Sequence, residues 1–70
     1  MSAKWERHGD VMTLVDQFSF ARAYISFCEG YYYAVYQIGP GQWREVGGSS
    51  KFRLMSEVKR ACPYTNRGKP

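Results

Sequence analysis

Nothing in this sequence approaches the length of a membrane span. Its most apolar run, Tyr31 to Tyr36, is six residues long and mostly tyrosine. Met1-Ser2-Ala3-Lys4-Trp5-Glu6 has no apolar segment behind its lysine, so no secretory signal is expected and the chain reads as cytoplasmic, without a membrane partner. Cysteine is scarce. Cys28 and Cys62 fit two reduced thiols in that compartment, and a single disulfide between them is the alternative for an exported chain. There is one histidine, His8, so a zinc site with four ligands in compact pairs is not expected, and no metal or other cofactor is implied.

A catalytic set is missing as well. His8 has no nucleophile near it in sequence, and it reads as a turn residue. Asp10, Asp16, Glu29 and Glu45 are scattered near strand ends and turns, where solvated charges are ordinary. The expectation is a non-enzymatic protein.

What is present is a composition that folds. The chain has 70 residues, 44% hydrophobic and 23% charged, with four Phe, six Tyr and two Trp. A chain this short buries only about 60% of its unfolded surface, and large aromatic areas partly compensate for that. One domain over 10–62 is expected, between a flexible N-terminus at 1–9 and a flexible basic tail at 63–70.

The clearest element is a helix over 50–62. Ser49 and Ser50 offer N-cap oxygens after Gly47-Gly48, and Pro63 ends the run. Leu54, Val58, Ala61 and Cys62 share one side at helical spacing, while Arg53, Ser56, Glu57 and Arg60 take the other, with Arg53 and Glu57 able to pair across one turn.

Upstream, three strands alternate. Residues 23–28 put Ala23, Ile25 and Phe27 on one side, and Glu29-Gly30 turns the chain onto Tyr31–Ile38. Gly39-Pro40-Gly41 suits a type II turn into Gln42–Val46. Residues 10–18 read as a fourth strand, with a short helix on Val11, Leu14, Val15 and Phe18 as the alternative. The expected fold is α+β, a three- or four-stranded antiparallel meander with one C-terminal helix packed on one face.

Charge is unevenly placed. Residues 1–50 carry a net of −1, and residues 51–70 carry a net of +5 from Lys51, Arg53, Lys59, Arg60, Arg67 and Lys69 against Glu57. Such asymmetry points to an acidic partner, nucleic acid first among them. Gly47-Gly48-Ser49-Ser50-Lys51 at a helix start also favours an anion, although the Gly-Lys-Ser/Thr order of a Walker loop is absent. Gly48-Ser49-Ser50-Lys51, leading into a helix with Lys59 and Arg60, resembles the last helix of double-stranded RNA-binding domains. That likeness covers about fifteen residues, and it implies an α-β-β-β-α order with lysines on phosphates at the helix start. The family's second and third lysine positions fall here on Phe52 and Met55, so membership is not assigned.

Both faces of the Tyr31–Ile38 strand are apolar or aromatic, and one helix covers only one of them. The other face must meet an N-terminal element, a second copy in a homodimer, or a partner. Two functions follow as expectations. The first is a nucleic-acid or nucleoprotein binder, using Lys51, Arg53, Lys59, Arg60, Ser49 and Ser50 on the backbone, with Tyr33, Tyr36 and Trp43 as aromatic contacts. The second is a small inhibitor or adaptor, of the kind phages and mobile elements encode, docking on a host protein through its aromatic sheet face.

Overall fold

The structure is a computed structural model that describes residues 3–48 and 50–63. Five strands run in the order β1 (Lys4–His8), β2 (Val11–Val15), β3 (Ala21–Cys28), β4 (Tyr31–Gly39) and β5 (Gln42–Val46), followed by helix α1 (Lys51–Ala61). They form one antiparallel sheet in which each strand pairs with its sequence neighbours. The fold is α+β as the periodicities imply, with one strand more than expected. That strand is β1, which replaces the expected flexible start over most of residues 1–9. Residues 10–18 contain strand β2, and the helical alternative there is not adopted. The expected tail lies outside the described residues from position 64 on. The order also differs from α-β-β-β-α, since among the described residues no helix precedes the sheet.

The turns follow from residues that accept positive φ. Glu29 and Gly30 sit at φ 50° and 91°, the pair of left-handed positions that lets two residues close the β3–β4 hairpin. Gly41 takes φ 70° after Pro40, as the third residue of a type II turn requires.

Strand pairing sorts the side chains onto two faces, because directly opposed residues point the same way. One face carries the rows Trp5–Leu14–Ala23–Tyr36–Arg44 and Arg7–Met12–Ile25–Ala34–Val46, then Phe27–Tyr32. Helix α1 lies on this face. Leu54 and Val58, both fully buried, meet Leu14, Ala23, Ile25, Ala34 and Tyr36 in a single core. Ala23 and Ala34 are small, and their lack of bulk is what lets the helix come down between larger neighbours.

The helix starts as its sequence implies. Ser50 is the N-cap, and its Oγ accepts the Arg53 N–H at 3.1 Å. Cys62 is the C-cap, its N–H donating to the Val58 carbonyl at 2.8 Å. Its buried thiol also donates to the Gln37 carbonyl at 3.2 Å, tying the end of α1 to β4. Gly48, just before the helix, passes against the start of β4. A Cβ there would stand 1.6 Å from the Tyr32 carbonyl oxygen, so only glycine permits this approach.

Candidate functional site

The two sets of residues expected to act together lie on opposite sides of the sheet. Tyr33 belongs to the row His8–Val11–Ser26–Tyr33, on the face away from α1. Trp43 faces the same way and stacks on Tyr24, with ring centroids 6.0 Å apart and planes 25° from parallel. Lys51, Arg53, Lys59 and Arg60 ride on the helix, on the far side. Tyr36 is in neither surface. It is 3% exposed, in the core beneath the helix, where no base or partner reaches it. Ser50 spends an acceptor site on the cap, and Ser49 lies outside the described residues.

Charge divides along the same plane. On the helix side stand Arg7, Arg44, Lys51, Arg53, Lys59 and Arg60, opposed by Glu57 and, at the β1–β2 turn, Asp10. Among the described residues, none of Arg7, Arg44, Lys51, Arg53 or Arg60 has a carboxylate within ion-pairing distance. The Arg53–Glu57 pairing that one helical turn allows is therefore not made. On the opposite face most charges are paired, and Glu45, opposite Val35, adds a carboxylate with no cation at ion-pairing distance among the described residues. Glu6 lies 3.9 Å from Lys4 and 3.3 Å from His8, and Arg22 holds Asp16 at 2.7 Å.

The helix side also has aromatic rings, though not the expected ones. Phe27 and Tyr32 point to this face from β3 and β4, with centroids 5.3 Å apart and planes tilted by 59°. The Lys51 ammonium sits 5.8 Å from the centre of the Tyr32 ring, within cation–π range. Phe52 is 79% exposed at the first turn of α1, the most exposed large apolar side chain among those described. Arg7, Phe27, Tyr32 and Phe52 were not singled out by the sequence. Strand parity gives the signal in retrospect, since Phe27 shares its side with Ala23 and Ile25, the residues beneath the helix.

The opposite face is uncovered by the described residues. Tyr24, Tyr31 and Trp43 are 40–52% exposed there, and Tyr31 lies 6.2 Å from Tyr33. The N-terminal strand widens the sheet and does not cover it. Cys28 is exposed on this face and Cys62 is buried beneath the helix, and both are free thiols. Among the described residues, no three of His, Cys, Asp and Glu cluster as a metal site, and no helix is long and apolar enough to cross a membrane. Compared with known proteins, the chain matches no family model, no curated protein and no solved structure.

Proposed function

We propose that this chain is a non-enzymatic binding module whose helix side engages a nucleic-acid backbone. The observation that carries this reading is the sorting of charge. Six cations share one side of the sheet with two carboxylates, while the other face carries Lys4 and Arg22 against Glu6, Asp16 and Glu45. Arg7, Arg44, Lys51, Arg53 and Arg60 have no carboxylate at ion-pairing distance among the described residues, so a phosphate can take their hydrogen bonds without breaking an ion pair. Arg53 and Arg60 are seven residues apart, two helical turns, and so point the same way about 10 Å from each other along the axis. Phe27, Tyr32 and Phe52 add planar faces beside these cations, which suits unpaired bases.

The test is binding of single-stranded and duplex oligonucleotides over a range of salt. Affinity should fall steeply as salt rises, because each neutralised phosphate releases condensed counterions. Absence of binding at low salt would end this reading.

A second reading rests on a different surface. The uncovered face, with the Tyr24–Trp43 stack, suits a protein partner or a second copy of the chain. An inhibitor or adaptor docking on a host protein would use this face and leave the cationic helix free.

A further inference from the structure

At one end of the helix side a cleft of about 250 Å³ opens between the β1–β2 turn, the adjoining ends of β3 and β4, and the first turn of α1. Arg7, Asp10, Met12, Phe27, Tyr32 and Lys51 line it. These residues come from five separate elements and one turn, and their chemistry is mixed in a particular way. Phe27 and Tyr32 provide an aromatic wall, and Met12 adds a deformable apolar contact. Arg7 and Lys51 bring two cations, one from β1 and one from α1, neither paired with a carboxylate among the described residues. The Arg7 guanidinium is steadied by its Nε, which donates to the Gly9 carbonyl at 3.2 Å, and its terminal nitrogens remain for a ligand. Asp10 supplies the one carboxylate, an acceptor in an otherwise cationic cleft.

We infer that this cleft takes a single unpaired nucleotide, resting on the nucleic-acid reading of the helix side and naming what that side holds. The phosphate meets Arg7 and Lys51, the base lies against Phe27 and Tyr32, and Asp10 accepts a hydrogen bond from a sugar hydroxyl or a base amine. Each part of the ligand answers a part of the cleft. A bare phosphate leaves the aromatic wall unused and faces the Asp10 carboxylate. A neutral planar molecule leaves two cations unanswered. The volume is below the 300–1,000 Å³ usual for drug-sized ligands, which limits the occupant to about one nucleotide. A base stacked in a duplex cannot present its face to a wall, so the cleft selects unpaired strands or strand ends.

The experiment is an NMR titration of the full chain with a 5′-mononucleotide, the matching nucleoside, inorganic phosphate and a short single-stranded oligonucleotide. The mononucleotide should shift the amide signals of Arg7, Tyr32 and Lys51, and bind at least about tenfold tighter than the nucleoside or phosphate alone, as a charge-assisted contact added to stacking gives. Arg7→Gln and Phe27→Leu should each weaken mononucleotide and oligonucleotide binding by about tenfold while the thermal melt stays near wild type, since both side chains are partly exposed. Lys51→Gln serves as the second cation test. Phosphate binding as tightly as the mononucleotide, or shifts confined to the outer side of α1, would overturn the inference. If the oligonucleotide binds these variants as it binds wild type, the cleft fails and the helix-side reading stands. If the mononucleotide seats in the cleft while no oligonucleotide binds, the cleft stands and the helix-side reading fails.

Discussion

Arg22 donates through Nε to Asp16 Oδ2 at 2.7 Å, and through its terminal nitrogen to the Gln37 side-chain oxygen at 2.6 Å. Asp16 in turn accepts the N–H groups of Phe18 and Phe20 on its other oxygen, at 2.8 and 3.0 Å. One buried carboxylate thus closes the β2–β3 loop, where Ser19 takes φ 70°, and fastens it through Arg22 to β4. Arg22 is also where the β2–β3 register shifts, at Leu14/Val15, so the extra residue of that irregularity is the one that makes the bridge.

Burial by itself would raise the Asp16 pKa, but the Arg22 hydrogen bond, the Phe20 and Phe18 N–H groups and the Arg22 charge together bring it below its ordinary value of 3.8. A carboxylate lowered in the folded state stabilises fully above its unfolded pKa, and that stabilisation is lost as pH falls through the lowered value. Asp16→Asn should therefore cost about 2–3 kcal/mol near neutral pH, by leaving the Arg22 charge half-buried without its partner. The gap between the two proteins should narrow as pH drops from about 5 to 2. Denaturant melts across that range check both points, and parallel curves would mean the pair contributes nothing.

Leu54 is fully buried at the helix–sheet contact, one of eight residues that form the core among those described. Leu54→Ala should lose about 2–4 kcal/mol, as large-to-small changes at packed sites do. In a domain this small such a loss unfolds a measurable share of the population. Thermal denaturation followed by circular dichroism gives the answer, and an unchanged melt would mean the helix docks by another face.

Gly47 and Gly48 look alike in sequence and differ in the structure. A Cβ on Gly47 meets nothing within 4 Å, whereas one on Gly48 runs into the Tyr32 carbonyl and the Tyr31 ring. Gly47→Ala should change stability by less than about 0.5 kcal/mol. Gly48→Ala should cost about 2–3 kcal/mol, because backbone must move to admit the methyl group. Equal melts for the two variants would place the helix start farther from β4.

The helix and the three hairpin-linked strands were legible because their signals are local. Helical spacing fixed Leu54 and Val58 inward, and Gly30 and Gly41 marked turns whose positive φ the structure adopts. Strand β1 was not legible, for a reason that belongs to edge strands. Of Lys4, Trp5, Glu6, Arg7 and His8 only Trp5 packs on the core, and charged neighbours that guard the edge against pairing also conceal the alternation. The basic half of the candidate site was visible as a charge asymmetry. Which side its aromatic residues take was not legible, since Tyr31–Tyr36 is aromatic on both faces and only the helix decides which face is buried. That decision rests on Ala23, Ala34 and Gly48, residues whose contribution is the room they leave.

The uncovered face should make the protein self-associate weakly at high concentration. Tyr24, Tyr31 and Trp43 present large apolar areas there, and local pairing leaves little net charge to keep two copies apart. Light scattering should record mass rising with concentration, and Trp43→Ser should suppress the rise without lowering the unfolding free energy by more than about 1 kcal/mol. A monomer at every concentration would reserve this face for a different partner.

The two faces can be told apart by one set of binding curves. If α1 contacts phosphates, replacing Arg53 and Arg60 by Gln removes two of the neutralised charges and should flatten the log–log salt dependence by about two units. The loss should be similar for every sequence tried, because backbone contacts carry no base information. The helix itself should survive, since both side chains are exposed and Gln is a good helix former. Tyr33→Ala and Trp43→Ala, on the other face, should leave both the affinity and the slope unchanged. The reverse pattern, with the tyrosine and tryptophan variants losing binding and the arginine variants keeping it, would transfer the nucleic-acid contact to the uncovered face. It would also leave the cations of α1 as a solvated surface.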